Sequence, residues 1–366
     1  LVGSEMCIRD RDLLALPPAL ISVSNFPASA RPQAGLNTSP IVFELYIGEG
    51  MTRFLAMFYG DFPSFVSGQT EGQGAGSSTG GGEETAGTTG ESTAGTAGDM
   101  AAAGIGPVRS GRLPYEDIRS IYSGFLVMAS ADKGTTASLS SATSIYGSDS
   151  SDINSAMIGV DKLYNIALGR SEGYPGSNFN LDGMTFSSTP PAGGQAAHTA
   201  WVFYSSLNQI QWQYDEALGA YVRYDIKTDG SGDFVMSTDR LTGEPLTREN
   251  VLVIFADHDF RAPTLIDINL TNMPPIKALL FRDGEVHEIF WTTRFGEFEQ
   301  QTGLLRPMRF VDANGNDVAL KPGRSWFEVV SMSSFYVESL ISDYPFTPIK
   351  EGEGTGLWLV RFKGLY

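Results

Sequence analysis

Cysteine is almost missing from this chain: Cys7 is the single one among 366 residues. It falls inside the opening run LVGSEMCIRDR, which resembles a translated adapter found at the ends of proteins predicted from environmental sequencing. Residues 1–11 are therefore set aside from fold reasoning. The remainder has no thiol, so disulfides, zinc-thiolate sites and a cysteine nucleophile are excluded. A native start is expected to be lost, together with any signal peptide or anchor cysteine. Basic residues are also scarce: 25 Lys and Arg stand against 42 Asp and Glu, a net charge of −17. That balance excludes a nucleic-acid partner, which needs a basic face. No apolar run approaches the roughly 18 residues of a membrane span, and the longest, Leu13 to Ile21, is broken by Pro17 and Pro18. The three histidines, His198, His258 and His287, have no ligand-like spacing, and no metal or cofactor is expected.

What is present supports real cores, with 42% hydrophobic residues. Apolar, β-branched runs at Ala19–Phe26, Phe54–Tyr59 and Gly124–Ala129 read as buried strands. Asn37 to Pro40 offers a helix start, and Ile41–Ile47 fits either a short helix or a strand. Tyr115–Tyr122 reads as a helix. A second helix is expected from a cap at Ser151–Asp152 through Leu168, because Ile153, Met157, Val160, Leu163, Tyr164 and Ala167 recur on one face. Strands interleaved with helices make the first half α/β. From about Ser67 to Gly104 the chain turns to Gly, Ser, Thr, Ala and Glu, which cannot bury enough apolar surface to offset ordering, so disorder is expected.

After the Gly/Pro-rich run from Gly173 to Gly194 the pattern changes. NQIQWQYDE alternates with period two, and further strands are expected at Trp201–Tyr204, Ala220–Ile226, Val251–Phe255, Lys277–Phe281, Val286–Trp291, Met308–Val311 and Trp326–Val330. Asp283-Gly284, Asn314-Gly315 and Pro322-Gly323 are hairpin signals. The layout is therefore α+β in two domains. Residues 12–190 form an N-terminal α/β sandwich with the 67–104 insertion, 197–335 a C-terminal antiparallel β domain expected to fold alone, and 336–366 a tail packing back.

Between residues 12 and 132 every basic side chain is an arginine: Arg31, Arg53, Arg109, Arg112 and Arg119. Guanidiniums suit bidentate recognition of carboxylate and phosphate. Arg31, Arg53 and the pair around Ser110 sit at strand edges, where α/β sheets gather ligands. Two accounts stay open. Arg31, Arg53, Arg109, Ser110 and Arg112 form an anion site supported by Glu44 and Glu49, or Glu44, Glu49, Glu116 and Asp117 pair with these arginines internally. Ser130-Ala-Asp-Lys133 matches S-x-x-K but lacks a K-T-G partner, and the turn from Asp312 to Asp317 lacks the spacing of a calcium loop. Trp212, Tyr214, Tyr221 and Tyr224 suit packing between sheets.

Several runs carry a resemblance. They are ARPQAGL (30–36), E-x-x-x-x-E-G-x-T-R-F from Glu44 to Phe54, IGPVRSGR (105–112) and Y-D-x(5)-Y-x-R from Tyr214 to Arg223. RENVLV (248–253), FRDGEV (281–286) and DANGNDVALKPGRSWFEVV (312–330) complete the set. With these, in order over nearly the whole chain, the sequence resembles the YerB-like bacterial lipoproteins, which carry an N-terminal and a C-terminal domain of unknown function. The family joins its second strand to the IGPVRS turn by a short connection, so the low-complexity run is an insertion here. Where the family shows Gly-Thr-Gly before the FRDG hairpin, this chain has LTNMPPIKALL. The resemblance implies an extracytoplasmic, envelope-associated protein, lipid-anchored when its start is intact, and brings no established activity. The strand-then-arginine-turn order also has a loose similarity to the LytR-CpsA-Psr phosphotransferases, whose arginines hold a polyprenyl pyrophosphate; the Asp residues placed there beside the arginines are absent at Arg53 and Arg109. The lead expectation is a non-catalytic binding protein for a phosphate, pyrophosphate or carboxylate ligand of the envelope. The alternatives are an enzyme acting on a phosphorylated envelope precursor and a purely structural protein.

Overall fold

The computed structural model describes residues 16–59, 104–174, 182–271, 274–293, 296–340 and 350–364. The adapter-like start and, but for Gly104, the 67–104 insertion lie outside the described residues.

The first half contributes β1 (Ala19–Ser24), β2 (Ile41–Gly48), β3 (Met51–Phe58), β4 (Phe125–Met128) and β5 (Ala142–Ser144). Helices α1 (Tyr115–Ile121), α2 (Lys133–Ser138) and α3 (Val160–Leu168) complete it. The stretch open to either reading is the strand β2. Its Ile, Val and aromatic residues fill both faces of a sheet, and strands pair with it on each side. The helix expected from residue 151 starts at Val160. Before it, the Asp149 and Asp152 carboxylates accept the Ser151 and Asn154 amides in local turns. The backbone at Ala156 and Ile158 is then used up in bonds to Val108 and Ile105.

The second half contributes β6 (Gln195–Ala196), β7 (Thr199–Ser205), β8 (Asn208–Asp215), β9 (Ala220–Ile226), β10 (Phe234–Met236) and β11 (Thr247–Arg248). There follow β12 (Asn250–Ala262), β13 (Leu265–Asn269), β14 (Ile276–Arg282), β15 (Glu285–Thr292), α4 (Glu297–Thr302), β16 (Arg309–Val311), β17 (Ser325–Ser331), β18 (Phe335–Glu338) and β19 (Leu357–Arg361). Asp283 and Gly284, both at positive φ, make the two-residue turn between β14 and β15. The protein is mostly β, in two sheets, with less helix than the sequence pattern suggests.

The large sheet runs β16-β15-β14-β12-β17-β2-β3-β1-β4-β5, with β13 beside β12 and β6 beside β15. Strand β17 lies parallel to both β12 and β2. The hydrogen-bonded sheet therefore crosses the change of pattern at Gly173–Gly194, and the second half is not purely antiparallel. The other sheet runs β10-β9-β8-β7-β19-β18, the tail strand β19 lying parallel to β7.

Alternation along each strand sends neighbours to opposite faces. Val42, Phe54, Ala56, Trp326 and Val330 meet Tyr204, Ile210, Trp212 and Tyr221 of the second sheet in one core. Phe43, Leu45, Leu55, Met57, Phe327 and Val329 face the other way, onto Tyr115, Ile118 and Ile121 of α1 and its surroundings. Each face holds one buried polar group of interest.

Candidate functional site

Parallel β1 and β4 pair only over Ala19–Ile21 and Phe125–Val127. Beyond that point the segment from Ile105 to Gly111 is laid between them. The amides of Ser24 and Ala129 bond to the Pro107 and Arg109 carbonyls, while the Arg109 and Gly111 amides bond to the Ser22 and Ser130 carbonyls. Its other edge is held by Ala34, Ala156 and Ile158. Gly106 sits at φ +150, and a Cβ there would meet the Val108 nitrogen at 2.8 Å, so the close approach needs glycine. Arg109, Ser110 and Arg112 thus stand at the carboxyl ends of parallel strands, where open sheets form crevices.

Arg53 reaches this segment from β3, on the α1 side of the sheet. Its Nη1 donates to the Ser110 carbonyl at 3.0 Å. The Ser22 hydroxyl, 3.0 Å from the Tyr115 hydroxyl, bonds to the same carbonyl at 3.2 Å. Arg109 Nη1 donates to the Ile153 carbonyl at 3.0 Å. The Nε atoms of Arg53, Arg109 and Arg112 are all buried and unbonded. Burial pulls Arg53 down to about 10; Tyr115 opposes this, while the charges of Arg112 and Arg109 reinforce it. Arg109 is lowered by burial and then by Arg112. Arg109 and Arg112 flank Ser110 in the chain, and Arg53 is bonded to the Ser110 carbonyl, so the three side chains issue from one short stretch of the structure. Among the described residues, no carboxylate is within ion-pair distance of any of them.

Among the described residues, none of the acids named as partners pairs with Arg53, Arg109 or Arg112. Glu116 makes a fork with Arg119, at 2.9 and 2.7 Å. Asp117 accepts the Leu270 amide. Glu49 is exposed in the β2–β3 turn at φ 52. Glu44 is fully buried on the opposite face, bound to Thr52 Oγ1 and Arg223 Nη1 at 2.6 and 2.8 Å. Arg31 also points that way. Its Nε bonds Asn25 Oδ1 at 3.0 Å, Nη1 is 3.8 Å from Asp225, and the group stacks on Phe26. Arg53, Arg109, Arg112 and the Ser110 backbone are therefore brought together, while Arg31, Glu44 and Glu49 are not.

Glu44 belongs to a second cluster that sequence reasoning missed. Arg223, fully buried between the sheets, is flanked by Glu44, Asp225 at 3.0 Å and Glu328 at 3.5 Å. Its guanidinium stacks on Phe54, Trp212 and Trp326. Burial, and then Glu44, push Glu328 up to about 8, so at neutral pH it holds its proton. The Tyr204 hydroxyl donates to Glu328 Oε2 at 3.1 Å and lies 3.3 Å from the Val329 carbonyl, and Trp212 Nε1 donates to Glu328 Oε1 at 2.9 Å. Arg223 and Arg31 then face two charges, Glu44 and Asp225. The available signal was charged residues inside strands that are mostly apolar or aromatic, the glutamate of SWFEVVS and the arginine and aspartate of AYVRYDI.

The raised Glu328 group fixes a pH dependence. Between its unfolded value near 4.3 and about 8, the folded protein keeps a proton that the unfolded chain has released. Stability should therefore fall as pH rises through that window, with a slope approaching about 1.4 kcal/mol per pH unit. Glu328→Gln should match the parent below about pH 4, under the unfolded value, and exceed it at pH 9, as read by urea denaturation. A parallel pH profile for the two proteins would show that Glu328 titrates normally.

Two family descriptions match the chain. "Protein of unknown function (DUF3048) N-terminal domain" matches residues 8–68, and its C-terminal counterpart matches residues 200–327. The protein of Bacillus subtilis (strain 168) named "Putative lipoprotein YerB" is 24% identical over 334 residues, covering 86% of this chain and 81% of that protein. The crystal structure of YerB from Bacillus subtilis superposes with a TM-score of 0.59 at 19% identity, over 88% of this chain and 93% of that one. That likeness is one of fold.

Proposed function

Because the chain belongs to the DUF3048 family and carries its N-terminal and C-terminal domains in order, we propose that it works as an extracytoplasmic, lipid-anchored envelope protein. Its role in this reading is to bind an anionic ligand, without catalysis. The setting rests on the relative's name as a lipoprotein; no helix among the described residues is long and apolar enough to cross a membrane. One observation supports the ligand: Arg53 is bonded to the Ser110 carbonyl between Arg109 and Arg112, and no carboxylate among the described residues is within ion-pair distance of the three. Three like charges at one place favour a multiply charged partner, a phosphate or pyrophosphate before a single carboxylate. Around them the side-chain contacts of Arg53 and Arg109 are to the Ser110 and Ile153 carbonyls. The reading is binding, and phosphoryl transfer on an envelope precursor is the second choice.

A structural account has its own support. Arg248 is fully buried, bonds to the carbonyls of Leu36 and Thr247, and stacks on Trp326. Arginine thus serves this fold as a backbone staple, and the bonds from Arg53 to Ser110 and from Arg109 to Ile153 have the same form. Thermal unfolding separates the two. Pyrophosphate at a hundredfold excess over its dissociation constant should add about 2.7 kcal/mol, while chloride at equal ionic strength adds nothing. Arg109→Lys removes the planar fork and should abolish most of the pyrophosphate effect with little change in ligand-free stability. No pyrophosphate effect together with a destabilised Arg109→Lys protein would leave only the staple.

A further inference from the structure

At the opposite end of β4, a cavity of about 310 Å3 opens between the chain entering β1, the loop after α1, and the stretch following α3. That volume lies at the lower end of small-molecule sites. Arg119, Ser120, Ser123, Ser141, Arg170 and Tyr174 supply its polar lining. The two guanidiniums differ. Arg119 is neutralised by its fork to Glu116. Arg170 stacks on Phe125 and is held by the Ser141 and Thr143 hydroxyls at 2.6 and 2.8 Å. Among the described residues no carboxylate pairs with it, and burial lowers its proton affinity. Ser123 and Ser141 both adopt positive φ, at 51° and 52°, a conformation that costs a serine backbone energy. Both flank the cavity.

We infer that this cavity is a binding site for a small hydroxylated monoanion, of the sugar-acid or hydroxy-acid class. One uncompensated charge, that of Arg170, calls for one negative charge on the ligand. The serine and tyrosine hydroxyls around it can both donate and accept, which matches ligand hydroxyls. The site shares no residue with the Arg53 cluster and stands whether or not that cluster binds anions.

Calorimetric titration of the full chain with glucuronate, alongside glucose, tests it. Glucuronate should bind at least tenfold more tightly than glucose, since charge-assisted bonds to guanidinium discriminate by about that factor or more. Arg170→Met should erase the difference, and Arg109→Lys should leave it intact. Ser120→Leu, a change at an exposed position on the cavity wall, should block glucuronate while the melting temperature stays put. Absence of glucuronate binding, equal affinity for glucose, or unchanged binding by the Arg170→Met protein would each overturn the assignment.

Discussion

Arg223→Met should cost about 3–5 kcal/mol of stability, because removing one partner of a buried ion cluster strands the other charges. Glu44 and Asp225 would lose their 2.8 and 3.0 Å contacts, with Arg31 alone left to face them at 3.8 Å from Asp225. Three aromatic rings, Phe54, Trp212 and Trp326, would lose the guanidinium they enclose. A stability of order 5–15 kcal/mol can be exhausted by such a loss, so reduced soluble yield is part of the expectation. Adding Glu44→Gln to Arg223→Met should recover part of the loss, since it removes a stranded charge. The double-mutant cycle measures that recovery in urea. Single and double variants within about 1 kcal/mol of the parent would show that the cluster is not what fastens the sheets together.

Residues 197–335 expressed alone should fail to form a folded domain. The sequence pattern encourages the opposite expectation, because this stretch is uniformly β and ends in a strand. In the structure, however, β17 is an interior strand whose Ser325–Glu328 edge pairs with Ile41–Glu44 of β2. The fragment would expose that edge together with Phe327 and Val329, whose core includes Phe43 and α1. It would also lack β19, which pairs with β7 inside the second sheet. Glu328 and Arg223 would remain without Glu44. The expected product is aggregated, or soluble with broad amide resonances. Co-expression with residues 12–190 and 336–366 should improve it. A monomeric fragment with dispersed resonances and a cooperative transition would mean that the β half carries a self-sufficient core.

Most individual strands could be read from the sequence, because apolar alternation is a local property and the runs were bounded by turn residues. Helix α1, the turn at Asp283-Gly284 and the all-arginine character of residues 12–132 were legible for the same reason. Sheet order was not, since β17 and β2 are separated by almost the length of the chain and no local pattern records their pairing.

The partners of Glu44 turned on one residue. Between Met51 and Tyr46 the β2–β3 register shifts, so that Gly48 pairs with Met51 but Tyr46 with Thr52. Without that bulge Arg53 would pair with Tyr46 and share a face with Glu44. With it, Arg53 pairs with Leu45 and faces α1, while Glu44 pairs with Phe54 and faces the second sheet. Gly48, at φ 102 and against the Pro263 carbonyl, permits the bulge, but a glycine in a hairpin turn does not announce one. The sequence by itself determined which segments are strands and that arginines crowd one region. Only the tertiary structure decided which charges meet, because in a sheet a one-residue slip exchanges the two faces.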